Sequence, residues 1–168
     1  MTEVLILLLF PALMAYAASS DLVSMTISNK VSLILVAGFF AVALALAMPF
    51  TAMAVHLGSG ALVLVITFGM FAAGWIGGGD AKLAAATALW LGWDSLMEYG
   101  IAASIFGGVL TLGLLQFRAM PLPRFAAGVG WLEHLHHPKT GIPYGIALAA
   151  AGLAIYPSSP LWRLATGG

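Results

Sequence analysis

Apolar residues in this chain come in long, nearly unbroken blocks, separated by short stretches that hold most of the charges and prolines. The hydrocarbon core of a bilayer is about 30 Å thick, so a helix that crosses it needs roughly 20 apolar residues. The blocks therefore predict six membrane-spanning helices. They cover residues 3–19, 31–50, 57–76, 81–93, 96–117 and 141–157.

Two of these segments allow a second interpretation. The fourth, KLAAATALWLGW, is nearer the length of a half-span or a tilted helix, so five full spans and one re-entrant piece also fit the pattern. The first ends in small residues and in that respect resembles a secretory signal. It opens with Glu3 instead of positive charge, and further spans follow at once. We therefore interpret it as a retained first helix.

Composition supports a membrane protein. The chain is 62% hydrophobic and 7% charged, whereas soluble domains are about half apolar and a quarter charged. The predicted fold class is an all-α polytopic membrane protein, with residues 1–168 forming a single transmembrane domain and no soluble appendage. Its formal net charge is zero and it has no basic patch, so nucleic acid is not an expected partner. Cysteine is absent, which excludes disulfides and thiolate metal sites.

The basic residues predict the orientation, because loops on the cytoplasmic side accumulate Lys and Arg. In the six-span arrangement five of them fall on one side and only Arg163 on the other, so the N-terminus is predicted to lie outside. The five are Lys30, Lys82, Arg118, Arg124 and Lys139. The long loop from 118 to 140 then lies inside, where residues 125–135 are predicted to form a surface helix anchored by Trp131.

Two acidic residues are the candidate chemical groups. Asp21 follows the first predicted span and Asp80 precedes the fourth, 59 residues further along the chain. Two spans separate them, and an even number of crossings returns the chain to the same face. Two neighbouring carboxylates do not both ionise readily, so one retains a proton while the other acts as a base. Such a pair can hydrolyse a peptide without metal or nucleophilic serine.

The residues around Asp80 suggest a supporting role. Gly77, Gly78 and Gly79 precede it and have access to backbone angles closed to other residues, so they are expected to interrupt the helix and leave backbone open to an extended substrate. Lys82 is a candidate for lowering the pKa of the carboxylate or for holding a substrate carbonyl.

Each of these residues also has a structural interpretation. Asp80 is a favoured residue for capping the fourth helix, and Asn29 for capping the second. Asp21 can be an interfacial charge, and Lys82 can be a topology signal like Lys30.

A metal site is not predicted. His134, His136 and His137 stand close to Glu133, but their spacing misses the i, i+4 pair on which helical zinc motifs depend. We therefore expect no cofactor.

At this point the sequence resembles a known family. Gly77-Gly78-Gly79-Asp80 followed by Lys82 is similar to the GxGDxK motif of the type IV prepilin peptidases. Asp21 with Ile27 and Asn29 resembles the first motif of that family, an aspartate followed by I-x-N. The stretch GIPYG, residues 141–145, is similar to the signature of its last helix.

The resemblance implies a polytopic endopeptidase of the bacterial inner membrane that removes the short basic leader of prepilins or pseudopilins at the cytoplasmic face, after a glycine. Asp21 and Asp80 match the catalytic pair of the family. The long members carry a cytoplasmic domain with paired CxxC motifs, which this chain lacks. It looks like the short form associated with tight-adherence (Flp-type) pili, and the expectation is peptidase activity without N-methyl transfer.

Two rival classes remain. A small transporter or proton-relay subunit would use paired carboxylates to carry ions, and it predicts acids near mid-membrane and inverted repeats. A non-catalytic assembly subunit would tolerate the loss of either carboxylate.

Overall fold

The computed structural model describes residues 2–122 and 128–167, with side chains from residue 7 onward. Over these residues the chain is helical, without strands. Its helices are α1 (Thr2–Ser24), α2 (Asn29–Ala45), α3 (Phe50–Ala72), α4 (Gly78–Leu91), α5 (Leu96–Ala119), α6 (Gly130–His136), α7 (Tyr144–Ile155) and α8 (Pro160–Thr166). Short 3₁₀ turns at Trp93–Ser95 and Tyr156–Ser158 follow α4 and α7.

Helix α4 is the centre of the bundle. It packs mainly against α3, α2 and α7, while α7 also packs against α1 and α5. Ala81 and every residue from Leu83 to Leu91 are buried. Seven of the fourteen residues of α4 are alanine or glycine, and such small side chains let neighbouring helices approach closely. Neighbouring helices therefore cover most of α4.

An aromatic cluster fills the end of the bundle that lies away from Asp80. Trp90, Phe10, Phe39 and Tyr156 are all fully buried or nearly so. The ring centroid of Phe10 lies 5.3 Å from that of Trp90 and 4.4 Å from that of Tyr156. The indole Nε1–H of Trp90 donates a 2.9 Å hydrogen bond to the Leu35 carbonyl, which satisfies its buried polar atom. This cluster joins α1, α2, α4 and the turn after α7.

The outer helices present apolar side chains to their surroundings. On α3 and α5, Val65 is 71% exposed and Leu112 69%. By length and composition three helical stretches qualify as membrane spans, namely Leu7–Ser24, Phe50–Ala72 and Trp93–Ala119. A bent pair, Tyr144–Ser158 with Pro160–Thr166, makes a fourth if it forms one span with a 49° break. The all-helical, membrane-embedded class is thus confirmed, while the six-span count and the outside N-terminus stay predictions.

Each of the six predicted segments contains a helix, but several boundaries are wrong. Helix α1 continues to Ser24 instead of ending at 19, so Asp21 lies inside it. Helix α2 ends at Ala45, and α3 begins at Phe50 instead of 57. The predicted surface helix over 125–135 is present only as Gly130–His136, and residues 123–127 lie outside the described part of the chain. Helix α8 was not predicted.

Candidate active site

Asp21 projects from the last turn of α1 into the protein. Its side chain is only 4% exposed, and the backbone N–H of Gly145 donates a 2.7 Å hydrogen bond to its Oδ2 atom. Gly145 is the second residue of α7, so this bond joins the end of α1 to the beginning of α7. The helix ends just beyond, where Met25 has φ +54°, an unfavourable angle for a side-chain-bearing residue. The carboxyl is therefore enclosed by protein and not free in solvent.

Asp80 is half-buried in the first turn of α4. The N-cap of this helix is Gly77, so the predicted capping role of Asp80 is wrong in position, since Asp80 is the third helical residue. Its carboxylate accepts a hydrogen bond from the Gly77 backbone, which is the contact that an acid at this position makes in a capping box. Gly78 and Gly79 are helical, and the chain break covers residues 73–77. The interruption is present, but only Gly74 has a positive φ there, +76°.

The two carboxyl groups line one cavity of about 560 Å³ at the end of the bundle where α1 stops and α4 starts. The cavity is formed by the ends of α1, α4, α5 and α7 and by the loops that follow α3 and precede α7. Its lining residues are Asp21, Met25, Trp75, Ile76, Gly77, Asp80, Arg118, Thr140, Gly141, Ile142 and Tyr144. The structure therefore brings together the two acids that the sequence separates by 59 residues.

Electrostatic coupling between the acids is visible in the pKa of Asp80. Burial raises this pKa to about 6, the nearby charge of Asp21 adds to the rise, and the hydrogen bond from the Gly77 backbone opposes it. A carboxyl with this pKa exchanges its proton near neutral pH, as acid-base chemistry requires.

Ile27 lies against glycines at the beginnings of α4 and α7. A Cβ on Gly79 would lie 3.1 Å from the Ile27 Cβ, and one on Gly145 would lie 2.6 Å from the Ile27 Cδ1 and 2.7 Å from the Asp21 Oδ2. A side chain at either place would therefore require its neighbours to shift, at Gly145 by more than at Gly79. Ile27 thus packs between the beginnings of α4 and α7. Sequence reasoning noted Ile27 and Gly145 as parts of motifs but assigned them no task.

The side chain of Lys82 is hydrogen-bonded to Asn29 on another helix. Its Nζ donates a 2.8 Å hydrogen bond to the Asn29 Oδ1, on another side of α4. The sequence suggested that Lys82 lowers the pKa of Asp80 or holds a substrate carbonyl. In the structure its Nζ is bonded to α2 instead, and both roles stay predictions. Asn29 is likewise not the cap of α2, because the Ser28 hydroxyl caps it by accepting from the Lys30 N–H at 3.3 Å. The two residues instead connect the beginnings of α2 and α4.

Arg118 was predicted only as a topology charge, yet it lines the acid cavity. Its Nε donates to the Leu135 carbonyl at 2.9 Å and its NH2 group donates to the Gly141 carbonyl at 2.8 Å. The side chain therefore ties the end of α5 to α6 and to the GIPYG segment. The spacing of Arg118 in the sequence gives no signal of this role, because both partners are distant and both bonds go to backbone carbonyls.

The histidines near α6 make other contacts. The His136 Nε2 atom lies 2.8 Å from the Met120 carbonyl, and the His137 Nδ1 atom accepts from the Lys139 N–H at 3.2 Å. Glu133 accepts from the Gly128 N–H at 2.7 Å. Within the described ranges, no three His, Asp or Glu side chains gather as a metal-ligand cluster.

Fold and cavity define a class, namely an all-helical membrane protein with a coupled pair of carboxyl groups at one end of its bundle. Comparison with known proteins gives the family. A profile of the type IV leader peptidase family matches residues 8–112, more than half of the chain and including both acids. The chain therefore belongs to the type IV leader peptidase family, and the resemblance inferred from its motifs is confirmed.

Two relatives that carry a functional name are much longer than this chain. Two sequences from Aeromonas salmonicida, one of them from strain A449, are named prepilin leader peptidase/N-methyltransferase. Each is 34% identical over 77 residues, which cover 46% of this chain and 21% of the relative. The chain thus matches about a fifth of the length of these relatives. No solved structure matches it.

Proposed function

We propose that this protein is a membrane-embedded aspartyl endopeptidase that removes the leader peptide of type IV prepilins or pseudopilins at the cytoplasmic face of the bacterial inner membrane. Membership of the leader peptidase family supports the reaction class. The observation that carries the assignment of the site is that Asp21 and Asp80 line one cavity and are electrostatically coupled.

The proposed mechanism uses the pair with one shared proton. The ionised carboxylate takes a proton from a water between the two acids, and the water oxygen forms a bond to the scissile carbonyl carbon. The protonated partner donates its proton to the carbonyl oxygen. When the tetrahedral intermediate collapses, the C–N bond breaks and the leaving amine takes the proton that the base had removed. One hydroxyl of the intermediate returns its proton to the other carboxylate, which restores the singly protonated pair. The pair titrates as a unit, so neither role is assigned to one residue.

The first test removes each carboxylate separately. We expect Asp21→Asn and Asp80→Asn each to abolish leader removal from a co-expressed prepilin, because an amide can neither accept the water proton nor take part in sharing it. Gel mobility or mass spectrometry of the pilin measures the cleavage. Asp94→Asn is the matched control, since Asp94 is exposed in the turn after α4 and lies outside the cavity.

The outcomes separate the three function classes. Full loss in both acid variants with retained cleavage in the control supports the peptidase. Retained cleavage in either acid variant defeats the two-carboxylate mechanism. A proton-relay subunit would lose proton flux while prepilin processing continued, and an assembly subunit would tolerate both substitutions.

We further propose that these 168 residues cleave without transferring a methyl group to the new N-terminus. The relatives named as N-methyltransferases are matched over only 21% of their length, and this chain contains no cysteine with which to form CxxC motifs. Incubation of the purified protein with a prepilin peptide and labelled S-adenosylmethionine should give cleaved, unlabelled product. Methyl incorporation into that product would contradict this proposal.

A further inference from the structure

A second groove runs along the bundle between α2, α3 and α4. It encloses about 520 Å³ and its wall is almost wholly apolar. Small residues of α3 and α4 form its floor, while Leu33 (67% exposed) and Leu64 (44% exposed) stand at its rims. The full lining consists of Asn29, Ser32, Leu33, Val36, Leu57, Gly60, Ala61, Leu64, Lys82, Ala85, Ala86 and Leu89.

The polar residues of the groove are gathered at one end. Lys82 and Asn29 stand where α4 and α2 begin, and their side chains are joined by the 2.8 Å bond from Nζ to Oδ1. An ammonium group has three donors, so two of those of Lys82 are available. Within the described residues Asn29 is the polar partner of Lys82, and an amide leaves the positive charge uncompensated. The groove therefore combines a cationic end with a long apolar trough.

This groove is separate from the acid cavity. Successive residues of an α-helix are about 100° apart, so Asp80 and Lys82 point to different sides of α4. The residues that line the groove and those that line the acid cavity have no member in common. The groove can therefore hold a ligand while a peptide is held at the two acids.

We propose that the groove is the binding site of one anionic phospholipid. One acyl chain lies in the apolar trough, and the phosphate accepts hydrogen bonds from Lys82 at its polar end. The exposed rims open toward the lipid-facing surface of α2 and α3, so an acyl chain enters from the side. Basic groups at the bilayer surface attract anionic headgroups by about 1 kcal/mol each. Binding at this groove does not depend on the chemistry of the two acids.

The wild-type protein provides the primary test. Purified in a neutral detergent, it is mixed with dioleoyl phosphatidylglycerol or with dioleoyl phosphatidylcholine, and the lipid retained is counted by native mass spectrometry. We expect one phosphatidylglycerol per protein, retained about fivefold better than phosphatidylcholine, as one charge contact predicts. Equal retention of the two lipids would overturn the proposal.

Variants locate the site. Lys82→Gln should bring the preference for phosphatidylglycerol down to that for phosphatidylcholine. Lys30→Gln removes an equally exposed charge at the same end of the bundle without touching the groove, and it should keep the preference. Ala61→Phe, which fills the trough, should reduce the retention of both lipids. Loss of the preference in Lys30→Gln but not in Lys82→Gln would place the site elsewhere and overturn the proposal.

Two further experiments distinguish a phospholipid from other occupants of the groove. Inorganic phosphate at matched concentration should not protect the protein against thermal unfolding, whereas phosphatidylglycerol should, since the acyl chain contributes most of the binding. Equal protection by phosphate would identify a simple anion site instead. A photo-reactive group at Leu64 that attaches to a prepilin peptide in preference to lipid would show that the groove holds substrate, and this too overturns the proposal.

Discussion

The pKa of Asp80 depends on features that the sequence shows only in part. The GGGD motif identifies the acid, but the burial of its side chain and the proximity of Asp21 come from tertiary packing. The same is true of Asp21, whose partner Gly145 lies 124 residues away. That the two acids meet at one cavity was therefore predictable from motif and span parity, whereas the hydrogen bond of Asp21 with the Gly145 backbone was not, because Gly145 lies in a distant segment.

The raised pKa of Asp80 predicts a pH dependence of stability. The folded protein retains this proton up to about pH 6, while the unfolded chain releases it near the ordinary aspartate pKa of 3.8. The folded state therefore binds more protons, and stability falls as the pH rises from about 4 to 6 and stays lower above that. We expect Asp80→Asn to unfold at a higher temperature than wild type at pH 7.5, with a smaller difference at pH 4.

Thermal unfolding in detergent at the two pH values measures this effect. The Asp94→Asn control should match wild type at both, since Asp94 is exposed. If Asp80→Asn were less stable than wild type at pH 7.5, the capping hydrogen bond with Gly77 would outweigh the cost of the buried charge, and the acid would be structural.

At the scale of helices, hydropathy located six of the eight described helices and misplaced their ends. Span length sets a window of about 20 residues, but helix ends here depend on local contacts. Ser28 caps α2 through its hydroxyl, and α2 ends where Ala47 takes a φ of +48°. Hydropathy alone cannot tell a helix that is covered by protein from one that faces lipid, so the burial of the alanine-rich α4 was not predictable from the sequence.

The approach of α1 to α7 gives a prediction at this scale. Gly145→Ala places a Cβ 2.7 Å from the Asp21 Oδ2 and 2.6 Å from the Ile27 Cδ1, so the Asp21 carboxyl, the Ile27 side chain or α7 itself must shift. We expect a loss of stability of about 1–3 kcal/mol, as overpacking typically costs, together with a large loss of cleavage. Thermal unfolding and the prepilin assay measure the two effects.

Gly113→Ala is the matched control, since a Cβ there meets nothing within 4 Å. It should leave cleavage intact and stabilise α5 slightly, by up to about 1 kcal/mol, as alanine does in helix interiors. Wild-type cleavage by Gly145→Ala would show that the contact between α1 and α7 does not position Asp21.

For the molecule as a whole, the distribution of charge predicts the orientation that the cleavage proposal requires. The chain has no cysteine, so each introduced one is unique. Glu98→Cys and Lys139→Cys put exposed thiols at positions predicted to lie outside and inside. In intact spheroplasts a membrane-impermeant maleimide should label the first and spare the second until the membrane is opened. The reverse pattern would put the acids on the outer side and contradict cytoplasmic processing.

The enclosure of α4 has a practical consequence for enzymology. Asp80 is carried by a helix that packs mainly against other helices, so exchanging bilayer for micelle chiefly changes the surroundings of α3 and α5 and reaches α4 only along the groove lined by Lys82, Ala85 and Ala86. Rates recorded after extraction should then describe the native reaction centre, provided that the peptide itself can still reach it.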